Sequence, residues 1–70
     1  MKIYTQNRER IVEMPVELRI VSGGASSVLV GNGFKEPVLG KYAPERAKDV
    51  LREIFQYYRN GKNSYIMPLE

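Results

Sequence analysis

Five tyrosines and eleven lysines and arginines in a chain of 70 residues, with no histidine, cysteine or tryptophan, bound the chemistry open to this protein. Thiol nucleophiles and imidazole general bases are absent, which removes the usual catalytic triads. A zinc site would have to be built from carboxylates alone, against the metal's preference for nitrogen and sulfur. The sole aspartate, Asp49, stands at i, i+4 spacing between Glu45 and Glu53, the pattern of a solvated helix face. Paired-carboxylate chemistry would need two of the seven glutamates to converge across the fold. "SGGAS" and "GNGF" match neither a phosphate loop nor a dinucleotide fingerprint. The expectation is a protein that is not an enzyme and carries no metal or cofactor.

Binding chemistry is better supplied. Tyrosine rings stack on bases, and arginine offers forked donors to phosphates and carboxylates. Arg8, Arg10, Arg52 and Arg59 are the candidate phosphate contacts, and Tyr4, Tyr57 and Tyr65 the candidate stacking rings. The plainer alternative is that the tyrosines fill the core and subunit contacts. The net charge is +3 and the isoelectric point about 9.4. Residues 1–21, 22–42 and 43–70 each hold one more base than acid. A duplex binder concentrates its cations on one face, so a small anionic ligand fits this spread better than a nucleic-acid polymer.

The elements that must position these residues follow from periodicity. "KIYTQ" (2–6), "RIVEM" (10–14), "VELRIV" (16–21), "SVLVG" (27–31) and "EPVLGKY" (36–42) read as short strands. "SGGAS" and "GNG" mark turns between them. From Pro44 to Asn60 the pattern becomes helical, with Ala47, Val50, Leu51, Ile54 and Tyr58 in one apolar stripe. Arg46, Asp49, Arg52, Glu53 and Gln56 fall opposite, and Tyr57 lies off the stripe. Pro44 suits the first helical position, Ala43 is a weak cap, and Gly61 a natural stop. "SYIMP" (64–68) returns as an edge strand. The fold class is α+β: one domain, 1–70, a small antiparallel sheet or half-barrel of five to six short strands in the order βββββαβ, covered by one C-terminal helix.

So short a chain buries only about 60% of its unfolded surface, and small folds compensate with disulfides, metals or oligomerisation. Without cysteine or histidine, homo-oligomerisation is the remedy left. Mean hydropathy is −0.39. No apolar run approaches the ~20 residues of a membrane span, and "MKIYTQNRER" lacks the apolar core of a secretory signal. These features predict a cytoplasmic protein with no membrane partner.

"KIYTQNRERIV", "VLGKYAPERAKDVLREI" and "YIMP" together resemble small uncharacterised proteins of Gram-positive bacteria and their phages and prophages. Ala43 stands where such proteins often carry Ser or Thr, and the stretch from Val16 to Lys35 lies outside the resemblance. It implies a cytoplasmic setting in a bacterial host and no particular activity. In that setting the composition suggests a phage counter-defence sponge, an oligomer sequestering a nucleotide-derived signalling molecule without turnover. The alternative is an adaptor or inhibitor binding a host protein through its helix face or an edge strand.

Overall fold

The computed structural model describes residues 1–15, 17–23, 26–31 and 38–70. Among these residues six strands and one helix follow in the expected order: β1 (Lys2–Tyr4), β2 (Ile11–Glu13), β3 (Leu18–Gly23), β4 (Ser26–Gly31), β5 (Val38–Tyr42), α1 (Pro44–Arg59) and β6 (Ser64–Ile66). The expected turns at Gly24–Ala25 and Asn32–Gly33, and the placing of Val16 and Pro37 in strands, lie outside the described residues.

The strands form two sheets of three, ordered β2-β1-β6 and β3-β4-β5. All pairings are antiparallel except β1 with β6, which is parallel. The sheet is therefore mixed rather than wholly antiparallel. The physical reason is that α1 intervenes: a helical crossover can return the chain beside β1 in the same direction, which a hairpin cannot.

In the first sheet, alternation sorts the side chains. Ile3 and Tyr65 are register partners and both are buried, with Val12 half-buried beside Ile3. On the other face, Ile11, Tyr4 and Ile66 form one row across the three strands.

In β5, alternation fails at Leu39 and Gly40, which are both buried. The ladder to β4 shifts register there, passing from Leu29↔Gly40 to Val30↔Val38. This bulge turns two successive residues inward. Tyr42, two residues on, folds its ring back over Gly40. A Cβ on Gly40 would stand only 2.7 Å from Tyr42 Cε2. The ring is held there by its hydroxyl, which donates to the Pro68 carbonyl at 2.6 Å.

Among the described residues, Gln6 ties the end of the first sheet to the edge of the second. The Gln6 N–H donates to the Leu39 carbonyl (2.8 Å), and its side-chain oxygen accepts from the Lys41 N–H (2.7 Å). Gln6 thus satisfies two main-chain groups on the outer edge of β5.

Helix α1 begins at Pro44 without a side-chain cap from Ala43. It ends in a Schellman turn: Gly61 takes φ 73°, its N–H donates to Tyr58 O, and the Lys62 N–H donates to Tyr57 O. Ala47, Val50 and Ile54 are fully buried against Ile3, Leu39, Tyr42, Tyr65 and Met67. Tyr58, expected on this stripe, is 57% exposed, while Tyr57 sets its ring edge-on to Tyr65 at 4.9 Å. The buried positions run 47, 50 and 54, and Tyr57, though 38% exposed, turns its ring toward β6 to meet Tyr65.

Candidate binding surfaces

The seven sequence candidates do not converge. Tyr4, Arg8 and Arg10 gather at the β1–β2 turn. There the Thr5 hydroxyl donates to Asn7 Oδ1 (2.8 Å) and accepts from the Arg10 N–H (3.2 Å), closing a tight loop. Arg8 sits at φ 63°, a conformation uncommon outside glycine. Its guanidinium lies 5.2 Å from the Tyr4 ring centre, and its Nη1 donates to Thr5 O (3.0 Å) and Met67 O (2.8 Å). Arg8 is thereby committed to main-chain carbonyls. Arg10 is exposed.

Tyr65 points to the opposite face of that sheet from Tyr4, since it is the register partner of Ile3. It is buried, and its hydroxyl donates to Glu53 Oε1 at 2.9 Å. Glu53 is therefore half-buried, not part of the solvated face expected of it. Burial, and after it the bond to Glu53, pushes the Tyr65 hydroxyl above its ordinary range. A ring so enclosed presents no face for a base to stack on.

The outer face of α1 is a distinct surface. Phe55 and Tyr58 are 59% and 57% exposed and stand one turn apart. Arg52 and Arg59 flank Phe55 at three and four residues, with Arg52 held by Asp49 at 3.2 Å. Tyr58 also borders a groove of about 500 Å³ with Met1, Glu13, Met14 and Pro15. Glu13 is paired with Lys2, whose hydrogen bond and charge hold its carboxyl below the usual range.

A second groove, of about 510 Å³, opens where β5 meets α1. Lys41, Tyr42, Ala43, Arg46, Leu69 and Glu70 line it. Burial pushes the Tyr42 hydroxyl up to about 12, opposed by the nearby Arg46 and Arg8 charges.

Lys41, Arg46, Phe55 and Tyr58 were not among the sequence candidates. Phe55 was open to detection, being a large apolar residue off the buried stripe. Lys41 and Arg46 carry no such signal, because only the bend at Ala43–Pro44 brings them to one groove. Among the described residues no three carboxylates gather as a metal site, and no helix is long and apolar enough to cross a membrane.

No protein-family model matches this chain, and no curated protein or solved structure matches it either.

Proposed function

We propose that this protein is a non-catalytic protein-binding module that grips a partner through the outer face of α1. The observation that carries this reading is the exposed pair Phe55 and Tyr58, set between the cations Arg52 and Arg59. Aromatic anchors ringed by arginine are the residue types that dominate interface energetics. The fringe favours an apolar segment bearing acidic residues, so the partner is an acidic amphipathic stretch of a host protein. The test is affinity capture from host lysate, followed by binding measurements on the protein identified. Phe55→Ala and Tyr58→Ala should each weaken that complex tenfold or more without lowering thermal stability. Rising salt should slow its association. A complex indifferent to both substitutions refutes the reading.

A second reading is favoured by the groove at the β5–α1 junction, whose lining includes Lys41, Tyr42 and Arg46. Two cations beside an aromatic suit an anionic nucleotide-derived molecule, which an oligomer of phage origin in a bacterial cytoplasm would sequester. Native mass spectrometry with cyclic nucleotides and ADP-ribose derivatives decides it. Stoichiometric, unmodified ligand lost on Arg46→Ala supports sequestration, and no adduct across the panel removes it.

A further inference from the structure

Four successive main-chain oxygens at the end of the fold each accept one side-chain hydrogen bond, and each donor comes from a different residue of the surrounding wall. Arg8 Nη1 donates to Met67 O (2.8 Å), Tyr42 Oη to Pro68 O (2.6 Å), Gln6 Nε2 to Leu69 O (2.8 Å) and Arg46 Nε to Glu70 O (3.0 Å). The Met67 N–H donates to Tyr4 O (3.0 Å), and the Met67 side chain is fully buried. Leu69, by contrast, is 66% exposed. Protein grooves hold extended peptides in this way: donors address carbonyls common to every sequence, and one pocket takes one anchoring side chain.

The wall and its occupant are separate parts of the chain. The wall belongs to the β1–β2 turn, β5 and the first turn of α1. The occupant continues from β6 and is joined to α1 only by Asn60–Asn63, all exposed. What folds that link back is the Schellman turn at Gly61 and its two hydrogen bonds. Among the described residues, Ser64–Glu70 makes its contacts against other elements: the ladder to β1, Tyr65 and Met67 in the core, the bond to Glu53, the Tyr57 ring, and the four oxygens in the cradle.

We propose that two copies of this chain exchange Ser64–Glu70, each segment lying against β1 and through the cradle of the other copy. The segment is its own best-fitting occupant, so exchange restores every contact in trans and alters only the link. Exchange of an identical element is a low-cost route to a two-fold dimer. It also joins two small cores, each of which is marginal alone. The exchange stands apart from the reading of the helix face, which it does not use.

The experiment uses the full-length protein. Samples concentrated to the millimolar range and warmed toward the unfolding midpoint should yield a species of doubled mass that persists after dilution. In a mixture of isotope-labelled and unlabelled chains, nuclear Overhauser contacts from Tyr42 to Pro68 and from Ile3 to Tyr65 should connect different copies. A Gly-Ser-Gly insertion between Gly61 and Lys62 should return the dimer to monomer. The proposal is overturned by a monomer at every concentration, by a dimer in which both contacts are intramolecular, or by a dimer that the insertion leaves unchanged.

Discussion

Replacing Gly40 with alanine tests the tightest packing in the fold. The new Cβ would meet Tyr42 Cε2 at 2.7 Å, Oη at 2.8 Å and Cζ at 3.0 Å. The tip of a free side chain would swing away at little cost. Here the ring is buried and its hydroxyl is bonded to Pro68 O, so swinging away breaks that bond and opens the core. Overpacking of this kind costs about 1–3 kcal/mol, and the lost hydrogen bond about 1 kcal/mol more. Stiffening the unfolded chain returns roughly 0.4–1 kcal/mol. The net expectation is a loss of about 1–3.5 kcal/mol, or roughly 4–28 °C in Tm for a domain of this size. Urea and thermal unfolding followed by circular dichroism give the value. The same substitution in a Tyr42→Leu background, where the ring is gone, should be neutral or mildly stabilising. A Gly40→Ala protein as stable as the parent, or an equal loss in both backgrounds, refutes the account of ring over glycine.

Arg8 offers a paired comparison. Arg8→Ala should cost about 2–3 kcal/mol through two lost carbonyl bonds and the contact with Tyr4, whereas Arg8→Gly, relieved of the left-handed backbone, should be about 1 kcal/mol less damaging; chemical denaturation ranks them. Alkaline stability follows from the two buried tyrosines. Tyr42 and Tyr65 hold their protons above the ordinary value near 10, so their contribution is complete below pH 10 and falls as pH rises above it, for Tyr42 until about 12. The slope is about −1.4 kcal/mol per pH unit for each, and absorbance at alkaline pH should show two of the five tyrosines protonated until the chain unfolds. Neighbours on α1 should part sharply: Ile54→Ala should cost about 2–5 kcal/mol and Phe55→Ala within about 0.5 kcal/mol in a thermal melt.

Most of the architecture was legible in the residues. The period of two in the first half and the stripe beginning at Ala47 report local backbone geometry, and the fold class with all seven elements in order follows from them. The register shift at Leu39–Gly40 was hidden because "VLGKY" reads equally well as a regular strand. The direction of β6 was hidden because "SYIMP" carries no mark of its partner. Tyr57 and Tyr58 are adjacent in sequence, so which of them meets the Tyr65 ring depended on where β6 lies. The binding residues were less legible still. Arg8 is the residue type of a phosphate ligand, yet the Thr5 and Met67 carbonyls satisfy the same donors. Side chains that bond to main-chain oxygens leave no pattern in sequence, since every residue presents the same acceptor.

Gln6 limits how this molecule can stick to itself. A sheet with two open edges can add a copy at each and grow without end. By filling main-chain positions beside Leu39 and Lys41, Gln6 blocks the β5 side of the β3-β4-β5 sheet. A strand added alongside β5 would have to displace Gln6 from Leu39 and Lys41, so growth on that side cannot proceed without breaking both bonds.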